Sequence, residues 1–444
     1  MAYEIILGRN EKDKKKYGHE ATIFIGKQYV KMGPVTTLSQ PVFLDLNKAH
    51  VIFVSGKRGS GKSYSLGVIA EGIATLPEEY REQLNVMILD TMGIYWTMKY
   101  ANHKDERLLK EWGLEGKGIK NIEIYTPAGF YEKWKKQGIP TDKPFALNPA
   151  ELTSDDWNLT FELKPTEPLA IFIERIITQL RKTKKQYGLK EITQAIQQDQ
   201  TEEKRIKQAA ENRFRMVEEW GLFSDQGTPI KDLIKRGQIT VLDLSAYAIM
   251  PNGWRIKHLV MGIISMKLFI ERMKARKEEE YEIVHQAEHY IIEEEKKIKP
   301  KMPIIWILID EAHEFIPQKE KTASSQALKT LLREGRQPGI AMVLATQQPG
   351  KIHTDAMTQS DIILSHRLTA KIDTDALASL MQSYLKESLD KQLMLLPKVA
   401  GSCIAIDDVN EKIYPMRIRP RFSWHGGGAP ELIKETQKKE FKIK

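Results

Sequence analysis

The sequence predicts an α/β fold built on a mainly parallel sheet, and three patterns carry that expectation. Short apolar runs rich in β-branched residues recur along the chain, at residues 51–54, 86–89, 239–244, 304–309, 340–345 and 362–364. Each is too short for a helix and lacks polar alternation, as befits a strand buried on both faces. Helical patterns separate them; between residues 255 and 274, Ile256, Leu259, Val260, Ile263, Ile264, Leu268 and Phe269 recur at helical spacing. Strands alternating with helices favour a parallel sheet covered on both sides.

The 444 residues leave room for two or three domains of about 150 residues, or for one large domain with insertions. Lys plus Arg number 68 and Asp plus Glu 59, and the net charge of +9 permits a polyanionic partner without requiring one. A hydrophobic fraction of 41% with 20 prolines and 28 glycines excludes collagen-like and wholly disordered chains. The single cysteine, Cys403, excludes an internal disulfide framework and a cysteine-built zinc site. The N-terminus has no basic region followed by an apolar core, and no uncharged apolar run approaches the roughly 18 residues that span a bilayer. The expectation is a soluble, cytoplasmic protein without membrane insertion.

Residues 1–49 hold β-type runs at 22–25 and 42–46, broken by the charged stretch 11–16 and by Gly26, Gly33 and Pro34, and read as a small N-terminal β element. Residues 50–421 form the main domain. Within it, from about 146 to 236, the strand signal gives way to helical patterns rich in Gln, Lys and Glu, which reads as a helical insertion. The charged runs 277–280 and 293–297 read as a solvated helix end or loop. Residues 422–444, with Gly426, Gly427 and Gly428 and a lysine-rich end, read as a mobile tail.

Gly56-Lys57-Arg58-Gly59-Ser60-Gly61-Lys62-Ser63 matches G-x-x-x-x-G-K-[ST], directly after the first main-domain strand and before a helical run. Glycines let backbone N–H groups turn inward around phosphates, and a helix N-terminus adds partial positive charge. The nucleotide-binding set is Gly56, Arg58, Gly59, Ser60, Gly61, Lys62, Ser63 and Tyr64. Lys62 would neutralise β- and γ-phosphate oxygens of ATP, and Ser63 would ligate Mg²⁺.

The apolar run 304–309 ends in Asp310-Glu311. Beside a phosphate loop, Asp310 is expected to hold Mg²⁺ and Glu311 to polarise the attacking water as general base, which favours hydrolysis over nucleotide sensing. His313 reads as a loop histidine with a structural role or, as the less favoured alternative, as a contact to phosphate or nucleic acid, and Asp90, at the end of the run 86–89, as a turn cap or a second acid near the nucleotide. The run 340–345 ends in Thr346-Gln347-Gln348-Pro349; Gln347 is best placed to reach a γ-phosphate or the water, although two glutamines can simply begin a loop. Arg333 and Arg336 flank a glycine turn upstream. Such arginines form surface ion pairs, or complete a neighbouring subunit's site by stabilising transition-state charge.

Taken together, GKRGSGKSYSLGVIAEG, ILD, WILIDEAHEF, LLREGRQPGI and LATQQP resemble, in this order, the HerA branch of the FtsK/HerA P-loop ATPases. The resemblance runs from about residue 51 to 421, and implies a RecA-like ATPase domain and a homo-hexameric ring. It further implies ATP-driven translocation on double-stranded DNA held in a central channel, often with a nuclease or other effector as partner. It makes Gln347 the sensor and Arg336 the preferred trans-acting arginine, with Arg333 second. Two departures stand out: 49 N-terminal residues are few for the family's β-barrel, so the element would be a reduced one, and Met92-Gly93-Ile94-Tyr95 replaces the family's His-Gly-Glu-Tyr.

Duplex phosphates require exposed Lys or Arg. The densest basic patch with an aromatic neighbour is Arg181-Lys182-Thr183-Lys184-Lys185-Gln186-Tyr187, and the stretch 91–99, with Tyr95, Trp96 and Lys99, is the alternative. Neither contains a base-reading motif, so sequence-independent binding is expected. Two other readings are a nucleotide-dependent ring scaffold that regulates an effector, and a conjugation-type DNA pump.

Overall fold

The six apolar runs expected as buried strands lie side by side in the interior of one sheet. The computed structural model describes residues 4–32, 35–288, 300–368, 370–378, 393 and 396–428. In chain order the strands are β1 (Ile5–Leu7), β2 (Thr22–Met32), β3 (Val35–Asp45), β4 (Val51–Ser55), β5 (Leu84–Asp90), β6 (Ile122–Pro127) and β7 (Lys143–Phe145). Then follow β8 (Ile239–Asp243), β9 (Ile304–Ile309), β10 (Ile340–Thr346), β11 (Ile362–His366), β12 (Ser402–Asp407) and β13 (Lys412–Ile418). Among the described residues they form one 13-stranded sheet in the order β1-β3-β2-β13-β12-β11-β4-β10-β9-β5-β8-β6-β7.

From β11 to β7 every neighbour is parallel. From β11 back through β12, β13 and β2 to β3 every neighbour is antiparallel, and β1 runs parallel to β3. The N-terminal strands, expected as a separate reduced element, thus extend the main sheet through β13. Side-chain alternation splits the central strands between two cores. Ile52, Val54, Ile88, Leu308 and Val343 face the helix Lys62–Ala74, where Leu66, Ile69 and Ile73 are buried. Val51, Phe53, Met87, Ile307 and Met342 face the other way, toward Ile256, Leu259 and Val260 of the helix Gly253–Glu288.

The helical insertion contains Ser154–Thr160, Pro168–Thr183, Leu189–Gln198 and Lys204–Glu218, gathered around Trp157, Phe161 and Phe214. The charged run 277–280 continues the helix Gly253–Glu288, whereas the run 293–297 lies outside the described residues. No helix among the described residues is long and apolar enough to cross a membrane.

Expected as the start of a tail, Phe422 and Ser423 are instead built into the interior; residues 429–444 lie outside the described residues. Their anchor is Glu71, a fully buried carboxylate on the helix Lys62–Ala74. It accepts from Arg419 Nη1 at 3.1 Å, Arg421 Nε at 2.9 Å, the Phe422 N–H at 2.9 Å and Ser423 Oγ at 2.6 Å. Burial opposes its ionisation, but the two guanidiniums and these hydrogen bonds outweigh burial and hold the carboxyl below the ordinary value of 4.5.

Because the folded pKa is depressed, this stabilisation is fully present above the ordinary value and is lost as pH falls through the folded pKa. Replacing Glu71 by Gln leaves two buried guanidiniums without a counter-ion, and is expected to lower unfolding free energy by about 3–5 kcal/mol. Urea unfolding at pH 7 measures this; a loss below about 1 kcal/mol would mean that the network contributes no more than a surface pair.

Candidate active site

The C-terminal ends of β4, β10 and β9 form one edge, and the sequence-predicted groups Lys62, Ser63, Asp310, Glu311 and Gln347 follow those ends. β4 stops at Ser55, the loop turns through residues 56–61, and the helix begins at Lys62. Gly59 (φ 75°) and Gly61 (φ 116°) adopt backbone conformations that a side chain would strain, which is how the loop folds back on itself. Arg58 and Gly59 are exposed, Gly56 is buried, and Ser60 Oγ is buried without a hydrogen-bond partner.

Lys62 is 6% exposed, and among the described residues it forms no ion pair. Its Nζ donates at 3.4 Å to the Lys57 carbonyl. Burial lowers its pKa, opposed by the charges of Glu311 and Asp310. An ammonium held near carboxylates without pairing to one is suited to receive phosphate oxygens.

Asp310 directly follows β9 and is buried, its Oδ1 accepting from the Glu311 N–H at 3.0 Å. Glu311 has φ 50° and ψ 43°, a conformation costing about 1–3 kcal/mol for a residue with a side chain. It caps the short helix Ala312–Phe315, whose Ala312 and Phe315 are buried and hold the turn in place. Burial and then the neighbouring Asp310 push the Glu311 carboxyl up to about 7. Its Oε1 accepts from Gln347 Nε2 at 3.1 Å, and its Oε2 is buried without a hydrogen-bond partner. His313 Nδ1 lies 3.5 Å from that oxygen and 3.1 Å from Thr346 Oγ1. Burial takes the imidazole down to about 4, so it is neutral at pH 7.

The other candidates are engaged elsewhere, although Asp90 ends β5 beside β9 at the level of Asp310. Tyr64 turns toward the C-terminal segment: its hydroxyl accepts from the Arg421 N–H at 2.6 Å and its ring stands edge-on to His425. Asp90 is a turn cap, its two oxygens accepting from the N–H groups of Met92, Gly93, Ile94 and Tyr95 at 2.8–3.1 Å. Arg333 pairs with Asp355 at 2.7 Å, and Arg336 donates to the Gln359 carbonyl. Arg336 precedes β10 and Gln347 follows it, so a seven-residue strand of about 20 Å or more lies between them. Neither that strand nor the sheet leaves Arg336 a path to the phosphate loop of its own chain.

Of the basic patch, Arg181, Lys182, Lys184 and Lys185 are exposed, but Tyr187 is 4% exposed and belongs to the insertion core. In the alternative stretch Tyr95 is buried and Lys99 is bound to Asp142 at 2.6 Å, leaving Met92 outward. Neither stretch offers the free tyrosine that its sequence suggested.

His366 is a neighbour of the phosphate loop that the sequence reading missed. Fully buried at the end of β11, its Nε2 lies 2.9 Å from Ser65 Oγ and its Nδ1 3.2 Å from the Ser402 carbonyl. Burial takes it down to about 4, and the neutral ring lies under the phosphate loop, 3.5 Å from where a side chain on Gly61 would begin. The signal was a polar Ser365-His366-Arg367 at a strand end, which only knowledge of the β11–β4 pairing turns into a position.

The residues fit a nucleoside triphosphate: a glycine-rich loop, the N-terminus of a 13-residue helix and, among the described residues, a buried ammonium without an ion pair and a buried hydroxyl without a hydrogen bond. They also fit Mg²⁺. Among the described residues no group of three or more His, Cys, Asp or Glu could hold a metal, and Mg²⁺ at such sites relies on one or two side chains plus water and phosphate oxygens. Ser63 and Asp310 are the side chains here that could take that part.

Comparison with known proteins points the same way. The probable DNA double-strand break repair helicase HerA of Methanocaldococcus jannaschii is 32% identical over 135 residues, 28% of this chain and 25% of that protein. The DNA double-strand break repair helicase HerA of Pyrococcus furiosus is 27% identical over 164 residues, 35% of this chain and 29% of that protein. The matched regions thus span little more than a quarter of these relatives. In fold, the chain is similar to VirB4 of Thermoanaerobacter pseudethanolicus, with a TM-score of 0.54 and 11% identity over 90% of this chain and 96% of that one. A family model described as the central domain of helicase HerA matches residues 30–253, from β2 past the phosphate loop to the end of the insertion and β8. With half of its length in that match, the chain belongs to the HerA central-domain family.

Proposed function

We propose that this chain is a cytoplasmic ATP-hydrolysing motor that assembles as a hexameric ring, binds double-stranded DNA without sequence preference and translocates on it, coupled to a nuclease or other effector. One observation carries the hydrolytic part: Lys62, buried and among the described residues without an ion pair, follows β4, and Glu311, with a buried oxygen lacking a hydrogen bond and its other oxygen on Gln347, follows β9, with only β10 between the two strands. Membership of the HerA family supports the DNA-directed part.

In this reading the backbone N–H groups of the loop and Lys62 hold the β- and γ-phosphates of ATP. Mg²⁺, carried by Ser63 and Asp310, would supply neutralisation of charge on the phosphate oxygens. Glu311 accepts a proton from the attacking water, and Gln347 orients both the carboxylate and the water. Arg336 and Arg333 stand at the opposite edge of the sheet, so an arginine contribution comes from a neighbouring copy, with Arg336 the preferred donor. Arg181, Lys182, Lys184 and Lys185 are exposed cations available to duplex phosphates.

Lys62→Ala is expected to abolish ATP binding. Glu311→Gln is expected to bind ATP as wild type does while turnover falls by about 100-fold or more; near-normal turnover would place the base elsewhere. Duplex DNA should accelerate hydrolysis, and the effect should weaken steeply between about 50 and 200 mM salt. Hydrolysis indifferent to duplex would favour the scaffold over the motor. Arg336→Ala should be inactive alone and partly recover when mixed with Lys62→Ala, because mixed rings regenerate sites with both groups intact; absence of recovery would exclude action in trans.

A further inference from the structure

At the edge of the sheet opposite the phosphate loop, a cleft of about 600 Å³ is lined by His50, Asp361, Arg336 and Arg272. His50 is 2% exposed and lies between two carboxylates, with Nδ1 2.5 Å from Asp361 Oδ2 and Nε2 3.1 Å from Asp45 Oδ2. Asp45 is also held by Arg9, through Nε at 2.9 Å. Asp361 accepts the Val51 N–H on Oδ1 at 2.8 Å, so both of its oxygens are engaged. Arg336 lies beside this carboxylate in a loose ion pair, Nη1 3.9 Å from Asp361 Oδ2 and too far for a hydrogen bond, while its Nη2 donates to the Gln359 carbonyl and the side chain is 41% exposed.

We propose that His50 is a positioning residue for Arg336, occupying Asp361 so that the guanidinium is held there only loosely and remains available to the phosphates of a neighbouring copy. This rests on the trans-acting role of Arg336 proposed above. The competition is one of charge-assisted hydrogen bonds. A carboxylate relieved of the imidazole presents an open oxygen to a guanidinium already within 4 Å, and an Arg–carboxylate pair is among the stronger polar contacts. Once made, that pair draws Arg336 inward and away from any other subunit. Arg9 secures the far side, since Asp45 is doubly held and keeps His50 in place. The charged groups around the ring are Asp45 at the end of β3, Asp361 before β11, Asp407 on β12, and beyond them Arg9 and Arg336. Burial opposes protonation of His50, but the two aspartates outweigh it and raise the imidazole to about 9. The raised value means that the ring is charged at pH 7 and that the bridge weakens as pH rises through about 9.

The test compares steady-state ATP hydrolysis by the assembled full-length protein in four forms: Arg336→Ala, His50→Leu, Asp361→Asn and the His50→Leu/Asp361→Asn double variant. Arg336→Ala should be inactive; if it is not, the trans-arginine reading fails and this proposal with it. His50→Leu should lower kcat by at least about tenfold with KM for ATP unchanged, and the added Asp361→Asn should restore most of the loss, because no carboxylate then competes for Arg336. Wild-type kcat in folded His50→Leu, or no recovery in a folded double variant, overturns the proposal while leaving the trans-arginine reading intact. Should His50→Leu not fold, the pH profile decides: wild-type kcat falls above about pH 9 and Asp361→Asn lacks that descending limb, whereas an identical limb in both overturns it.

Discussion

Hydrogen bonding along β9, β10 and β4 sets the level at which each strand ends, and every group proposed to act on ATP inherits that level. Leu344 is in register with Ile309 and with Phe53, and Thr346 with Ser55. Glu311, Gln347 and the start of the phosphate loop therefore leave the sheet at one edge. A slip of one residue in β10 would send Met342 and Leu344 into the opposite core as well as displacing Gln347. The packing of two apolar cores thus protects the geometry of the polar site at their border.

The central sheet was legible in the sequence because burial on both faces removes polar residues, and an uninterrupted apolar run is hard to mistake. The outer strands were not. β6 interrupts its apolar residues with Glu123, which is at home at a sheet edge because Lys143 and Lys235 meet it at 3.0 and 3.1 Å. β13 carries Lys412, Pro415 and Arg417 within seven residues and becomes a strand through its neighbours β12 and β2. The phosphate loop, Asp310, Glu311 and Gln347 were found because each sits within a local motif. His366 and the His50 bridge were not, since their partners lie about 300 residues away in the chain.

The two edges of the parallel sheet differ in chemistry. One carries groups that the described residues satisfy only in part: Lys62 without an ion pair, and Ser60 and Glu311 each with a buried oxygen lacking a hydrogen bond. The other carries groups that are closely satisfied, in the series Arg9, Asp45, His50 and Asp361. Unsatisfied polar atoms are costly to bury and persist where a ligand completes them. The satisfied edge keeps its backbone fixed while presenting Arg336 outward.

The Glu71 network also bears on how the chain comes to be folded. Glu71 meets Arg419 across 348 residues and Arg421 across 350. Until the ribosome has delivered residues 419–423, the helix that follows the phosphate loop holds an acid in an apolar setting with neither guanidinium to balance it. The helix after the phosphate loop thus gains its full set of hydrogen bonds only when contacts about 350 residues apart have formed, at an entropic cost that grows slowly with loop length.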